Sequence, residues 1–135
     1  MRSRSIWTGR ANSPQWDLPP VIDCEPYGSG SVPPDYATRL EDLATKLEER
    51  FGVRPIIYIA RFFAEEYLDQ GISKYPLFIA SYNKPKKPGI PKWWTDYVFW
   101  QAADRVSDDP LLSGYDVIAF KGGPSELAAL STGKK

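Results

Sequence analysis

Leu40, Leu43, Ala44, Leu47 and Phe51 recur at spacings of three and four residues, which puts them on one face of an amphipathic helix. Asp35 stands where an N-cap acid is favoured, and Gly52 where a helix ends in the left-handed conformation. On either side of this helix the period changes. LPPVIDCE, residues 18–25, is a proline-led apolar run whose segment 21–24 reads as a strand. RPIIYIA (54–60) is short and β-rich, as suits a buried parallel strand. RFFAEEYLDQ reads as a second short helix closed by Gly71, and PLFIASY (76–82) as the next strand. Further strands are expected around 97–101 and over 115–120, and GGPSELAAL supplies a last short helix. Strand, helix, strand, helix, strand is the signature of parallel βα units.

Composition narrows the chemistry more than the fold. A chain of 135 residues holds one domain with a sizeable core, and 42% hydrophobic residues indicate that it folds. Seventeen basic and seventeen acidic residues cancel, so charge gives no reason to expect nucleic acid or a membrane as partner. Histidine is absent, which removes His-based triads, His general bases and His metal ligands. Acid–base work must fall to carboxylates, tyrosine or lysine, and no metal or other cofactor is expected. Cys24 is the single cysteine; an intramolecular disulfide is excluded, and a small, buried strand residue is the natural reading. The first sixteen residues carry basic groups but no continuous apolar core, so no signal peptide is expected, and action on a cell wall would follow release by another agent.

Asp23 and Glu25 are two positions apart in an extended run, so both project from one side of the strand's end. Two carboxyl groups sharing a small volume cannot both ionise freely; one tends to hold its proton while the other stays charged. That equips a site to split an acetal, above all a glycosidic bond. Spacing alone fits equally well a pair of solvated acids at a turn into Pro26. Asp116 could likewise be a turn acid after Gly114. Tyr82, Trp93, Trp94 and Trp100 could offer flat faces to sugar rings or simply fill the core. Lys84, Lys86 and Lys87 read as a solvated, proline-rich loop.

Taken together, LPPVIDCE, the helix into FGVRPIIYI, PLFIASY, VFWQ and YDVIAFKGG resemble, in order, the family 25 glycoside hydrolases. These are lysozymes that cut peptidoglycan between N-acetylmuramic acid and N-acetylglucosamine. The resemblance covers residues 17–131, leaving 1–16 as an irregular segment and 132–135 as a tail. It implies an α/β fold, here a partial β/α (TIM-like) barrel of about five mostly parallel strands with short helices, lacking the family's first strands. It assigns Glu25 as general acid, Asp23 as the companion carboxylate and Asp116 as a further acid of the same cleft. Tyr58, Tyr82 and Trp100 fall on groove-lining aromatic positions. Where the family commonly has Asn after the last acid, this chain has Ile118. The implied partner is peptidoglycan, cleaved by a lysozyme-type enzyme or held by a non-catalytic saccharide-binding remnant. A partial barrel would expose strand edges at 21–25 and 115–120, so either the N-terminal residues cover one, or self-association or a complementing N-terminal fragment is expected.

Overall fold

The 16-residue helix α1, Tyr36–Phe51, forms where the apolar period predicts it, with Tyr36, Leu40 and Ala44 buried. Gly52 closes it at φ 70°, its N–H donating to the Glu48 carbonyl, a backbone conformation that costs a side-chain-bearing residue more. Asp35 occupies the N-cap position but makes no side-chain cap bond. Its carboxylate accepts instead from Arg39 Nε, one turn on, at 2.8 Å. A charged partner outcompetes the backbone for that oxygen.

The structure is a computed structural model that describes residues 4–6, 18–26, 28, 30–82, 84, 86–103, 110–111 and 114–130. The remainder of the irregular segment 1–16 and the tail 132–135 lie outside the described residues. The other elements are β1 (Arg4–Ile6), β2 (Val21–Cys24), β3 (Ile56–Ala60), α2 (Arg61–Tyr67), β4 (Leu77–Ala80), β5 (Phe99–Ala103), β6 (Val117–Phe120) and α3 (Pro124–Leu130). One sheet holds all six strands in the order β1-β2-β3-β4-β5-β6. β2 through β5 are parallel, and β1 and β6 join antiparallel at its two ends. All five anticipated strands are present, in a partial α/β arrangement whose sheet does not close.

The core fills the space between one face of this sheet and the helices. Ile22, Cys24, Ile57, Ile59, Leu77 and Ile79 point to that face and meet Leu40 and Ala44 of α1, Ala64 of α2, and Tyr75. The period of two explains the choice: every second strand residue must face the same side. Each isoleucine buried in full contributes about 1.5–3 kcal/mol, so this row alone dominates the stability of the layer.

One sequence expectation is corrected, and one open alternative is decided. The second helix does not run to Gly71; it ends at Tyr67, and a 3-10 turn, Gln70–Lys74, follows with Gly71 inside it. Asp69 explains the break: its Oδ1 accepts from the Gly71 N–H at 2.9 Å and starts a new turn. The edge expected at Val21–Cys24 is covered, because Arg4–Ile6 pairs with it residue for residue, Arg4 opposite Asp23 and Ile6 opposite Val21. At the other end, β6 pairs only with β5 among the described residues.

Candidate functional site

The opposite face of the sheet carries the chemistry. Strand register lines up Asp23, Tyr58, Phe78, Phe99 and Phe120 as successive cross-strand partners, so all five project from that one face. The rings stack edge-on or tilted along the row, with centroids 5.0 Å apart for Tyr58–Phe78, 5.4 Å for Phe78–Phe99 and 5.2 Å for Phe99–Phe120. They form an aromatic floor with an acid at one end. The next row, nearer the C-terminal ends of the parallel strands, runs Ala60, Ala80, Gln101, Ile118. Alanine at its first two positions leaves a hollow above the floor.

That hollow is a cavity of about 230 Å³ bounded by Asp23, Glu25, Tyr58, Gln101, Asp116 and Ile118, with Val21 and Phe78 beneath. Topology brings the acids together. Glu25 follows the last residue of β2, and Asp116 precedes the first residue of β6. Because β6 runs antiparallel to β5, its beginning lies at the same end of the sheet as the ends of β2 to β5. In a flat sheet, four interstrand steps of about 4.8 Å would hold β2 and β6 about 19 Å apart. A shared cavity therefore requires a strongly curled sheet, as in a barrel wall.

Asp23 is half-buried, whereas Glu25 and Asp116 are exposed. The apolar surroundings of Glu25 are one-sided, supplied by the aromatic floor and Ile118. Ile118 is 51% exposed and presents a hydrocarbon wall at a place where an amide would present hydrogen bonds. Among the described residues no group of three or more acids or cysteines is arranged to hold a metal ion.

Tyr58 and Tyr82 converge on Gln101. The Tyr58 hydroxyl donates to Gln101 Oε1, and the Tyr82 hydroxyl donates to the same oxygen at 3.3 Å. Burial, Tyr82, and the nearby charges of Glu25 and Asp23 all push the Tyr58 phenol well above its ordinary value, so its proton stays in place. On the other face of β2, burial pushes the Cys24 thiol up to about 12, as fits an inert core residue.

Of the six positions the sequence singled out, Asp23, Glu25, Tyr58 and Asp116 line the cavity and Tyr82 touches its wall through Gln101. Trp100 does not line it. As the neighbour of Gln101 in a strand it faces the other way, packing against the core with its indole N–H donating to the Ser81 carbonyl at 2.7 Å. Trp93 and Trp94 are also structural: their indole nitrogens donate to the carbonyls of Ala64 at 3.3 Å and Tyr75 at 2.8 Å. The two tryptophans border a larger hollow of about 530 Å³ beside Tyr75 and Leu77, away from the acids. Lys84, Lys86 and Lys87 are exposed. Gln101 is the site residue that sequence reasoning missed. Its signal was a lone polar side chain in phase with Phe99 inside the strand FWQAA.

The chain matches Glycosyl hydrolases family 25 over residues 7–109. It belongs to that family. Family 25 membership fits the comparisons of fold. A muramidase from Trichobolus zukalii superposes with a TM-score of 0.70 at 25% identity, over 84% of this chain and 56% of that one. A family 25 glycosyl hydrolase from Bacillus anthracis gives 0.69 at 24% identity, over 85% and 55%. In sequence, the uncharacterized protein YegX of Escherichia coli O6:H1 (strain CFT073) is 30% identical over 121 residues, 90% of this chain and 43% of YegX. The chain spans about half the length of these relatives. Asp116 and β6 lie beyond the family match, and it is the curl of the sheet that brings them to the cavity.

Proposed function

We propose that this family 25 chain carries the site of a lysozyme-type glycoside hydrolase, acting on the β-1,4 bond between N-acetylmuramic acid and N-acetylglucosamine in peptidoglycan. One observation carries the reading: Asp23 in β2, Glu25 just after it and Asp116 just before β6 border one cavity floored by aromatic rings. The likeness to a muramidase at 25% identity supports the substrate class.

In this reading Glu25 is the general acid that delivers a proton to the leaving glycosidic oxygen as the bond to the anomeric carbon breaks. Asp23, ionised and half-buried, stabilises the positive charge that develops on the sugar ring. Asp116 faces the same ring from β6 and supplies a second negative wall. Water then adds to the anomeric carbon, and its proton returns through a carboxylate. The floor offers the flat apolar faces of its rings to the C–H face of a sugar.

Purified protein assayed on peptidoglycan beside its Glu25→Gln variant tests this. Release of reducing sugar by the parent, reduced at least about 100-fold in the variant, is the expected result. Equal release from both removes Glu25 from the mechanism. Pelleting with cell walls in the absence of any release would replace catalysis by saccharide binding without turnover.

A further inference from the structure

Gln101 is 6% exposed, yet it lines the acid-bordered cavity. Two hydroxyls, from Tyr58 and Tyr82, both donate to its Oε1. An amide whose oxygen is claimed twice has only one orientation open to it, with Nε2 turned away from the tyrosines. Among the described residues Nε2 has no hydrogen-bond partner. The amide is therefore held in one orientation, with its N–H group uncommitted at the wall of the site.

The rest of the lining defines what it can bind. Asp23 and Asp116 are acceptors, the Glu25 proton is reserved for the leaving glycosidic oxygen, Val21, Phe78 and Ile118 are apolar, and the proton of Tyr58 is committed to Gln101. Sugar hydroxyls can donate to the carboxylates. A carbonyl oxygen can only accept, and within this lining the Gln101 N–H group is the donor that remains for it.

We propose that Gln101 is a specificity residue that reads an acetamido group on the bound sugar, its Nε2 N–H donating to the acetamido carbonyl. This rests on the saccharide reading above and adds a selectivity to it. Tyr58 and Tyr82 are positioning residues in this scheme: they act through the amide they orient.

The test uses the full chain and two neutral probes of equal length, tetra-N-acetylchitotetraose and cellotetraose, which differ by acetamido against hydroxyl at each C2. The side-chain amide resonances of Gln101, assigned by their disappearance in Gln101→Glu, are followed in 1H–15N spectra during titration. The acetylated probe is expected to shift them and to bind about 10-fold more tightly than cellotetraose, about 1.4 kcal/mol. Gln101→Glu is expected to erase that preference. Tyr82→Phe keeps the amide and one of its two orienting donors, and is expected to lower the preference several-fold while retaining the fold. Both probes binding with unmoved Gln101 resonances, or with a preference that survives Tyr82→Phe and Gln101→Glu alike, would overturn the assignment and leave the saccharide reading standing. Binding of neither probe would overturn both.

Discussion

Replacing Tyr58 by phenylalanine keeps the ring in the aromatic floor and removes only the hydroxyl, which makes its effect on stability separable by pH. Near pH 8 the variant loses one part-buried hydrogen bond, to Gln101 Oε1, a cost of about 1 kcal/mol. Alkali reverses the balance. The phenol's folded pKa is raised above the ordinary value of 10.0 that it regains on unfolding. Below that ordinary value the group is protonated in both states and costs nothing. Between the ordinary and the raised value the unfolded chain releases a proton that the folded chain keeps, so stability falls by about 1.4 kcal/mol per pH unit. At pH 11 the parent therefore carries a penalty of about 1.4 kcal/mol that the phenylalanine variant lacks, which cancels or slightly exceeds the lost hydrogen bond. Cys24, also raised, contributes to alkaline loss in both proteins and drops out of the difference. Urea unfolding followed by tryptophan fluorescence at pH 8 and pH 11 measures the two differences. A parent more stable by the same amount at both pH values would refute the claim that the folded site holds the Tyr58 proton.

Ile79, fully buried between β4 and the helices, should cost about 2–5 kcal/mol on replacement by alanine, read as a lower urea midpoint with little change in slope. Glu41 is partly buried, and both that burial and the neighbouring Asp69 raise its carboxyl above the ordinary range. Its penalty is absent in acid and fully developed at neutral pH, so Glu41→Gln should raise the melting temperature at pH 7 and leave it nearly unchanged near pH 3. Cys24, 1% exposed and with its thiol held at about 12, should resist a disulfide reagent at pH 8 until denaturant is added. Substitution of exposed Glu25 by glutamine should move the urea midpoint by no more than about 0.5 kcal/mol, so that any lost turnover reports chemistry and not unfolding.

Local sequence determined the elements and the identity of the acids. The three-and-four spacing in α1, the glycine that stops it and the apolar runs at β2, β3 and β4 act over a few residues, where backbone sterics and side-chain period suffice. The two-residue spacing of Asp23 and Glu25 set them on one side for the same reason. What the tertiary structure decided depends on partners distant along the chain. Asp116 shares a cavity with Glu25 only because the sheet curls through four interstrand steps and β6 turns back antiparallel. The pairing of Arg4–Ile6 with β2 links two segments through residues that carry no strand signal of their own. Trp100 and Gln101 are the sharpest case. They are adjacent in sequence, and an aromatic ring is the more obvious sugar platform, but the register with Ala80 and Ile118 turns the glutamine to the cavity and the indole to the core. A strand's alternation says that two neighbours face opposite ways. Which way each faces is set by the layer of helices that packs against one side.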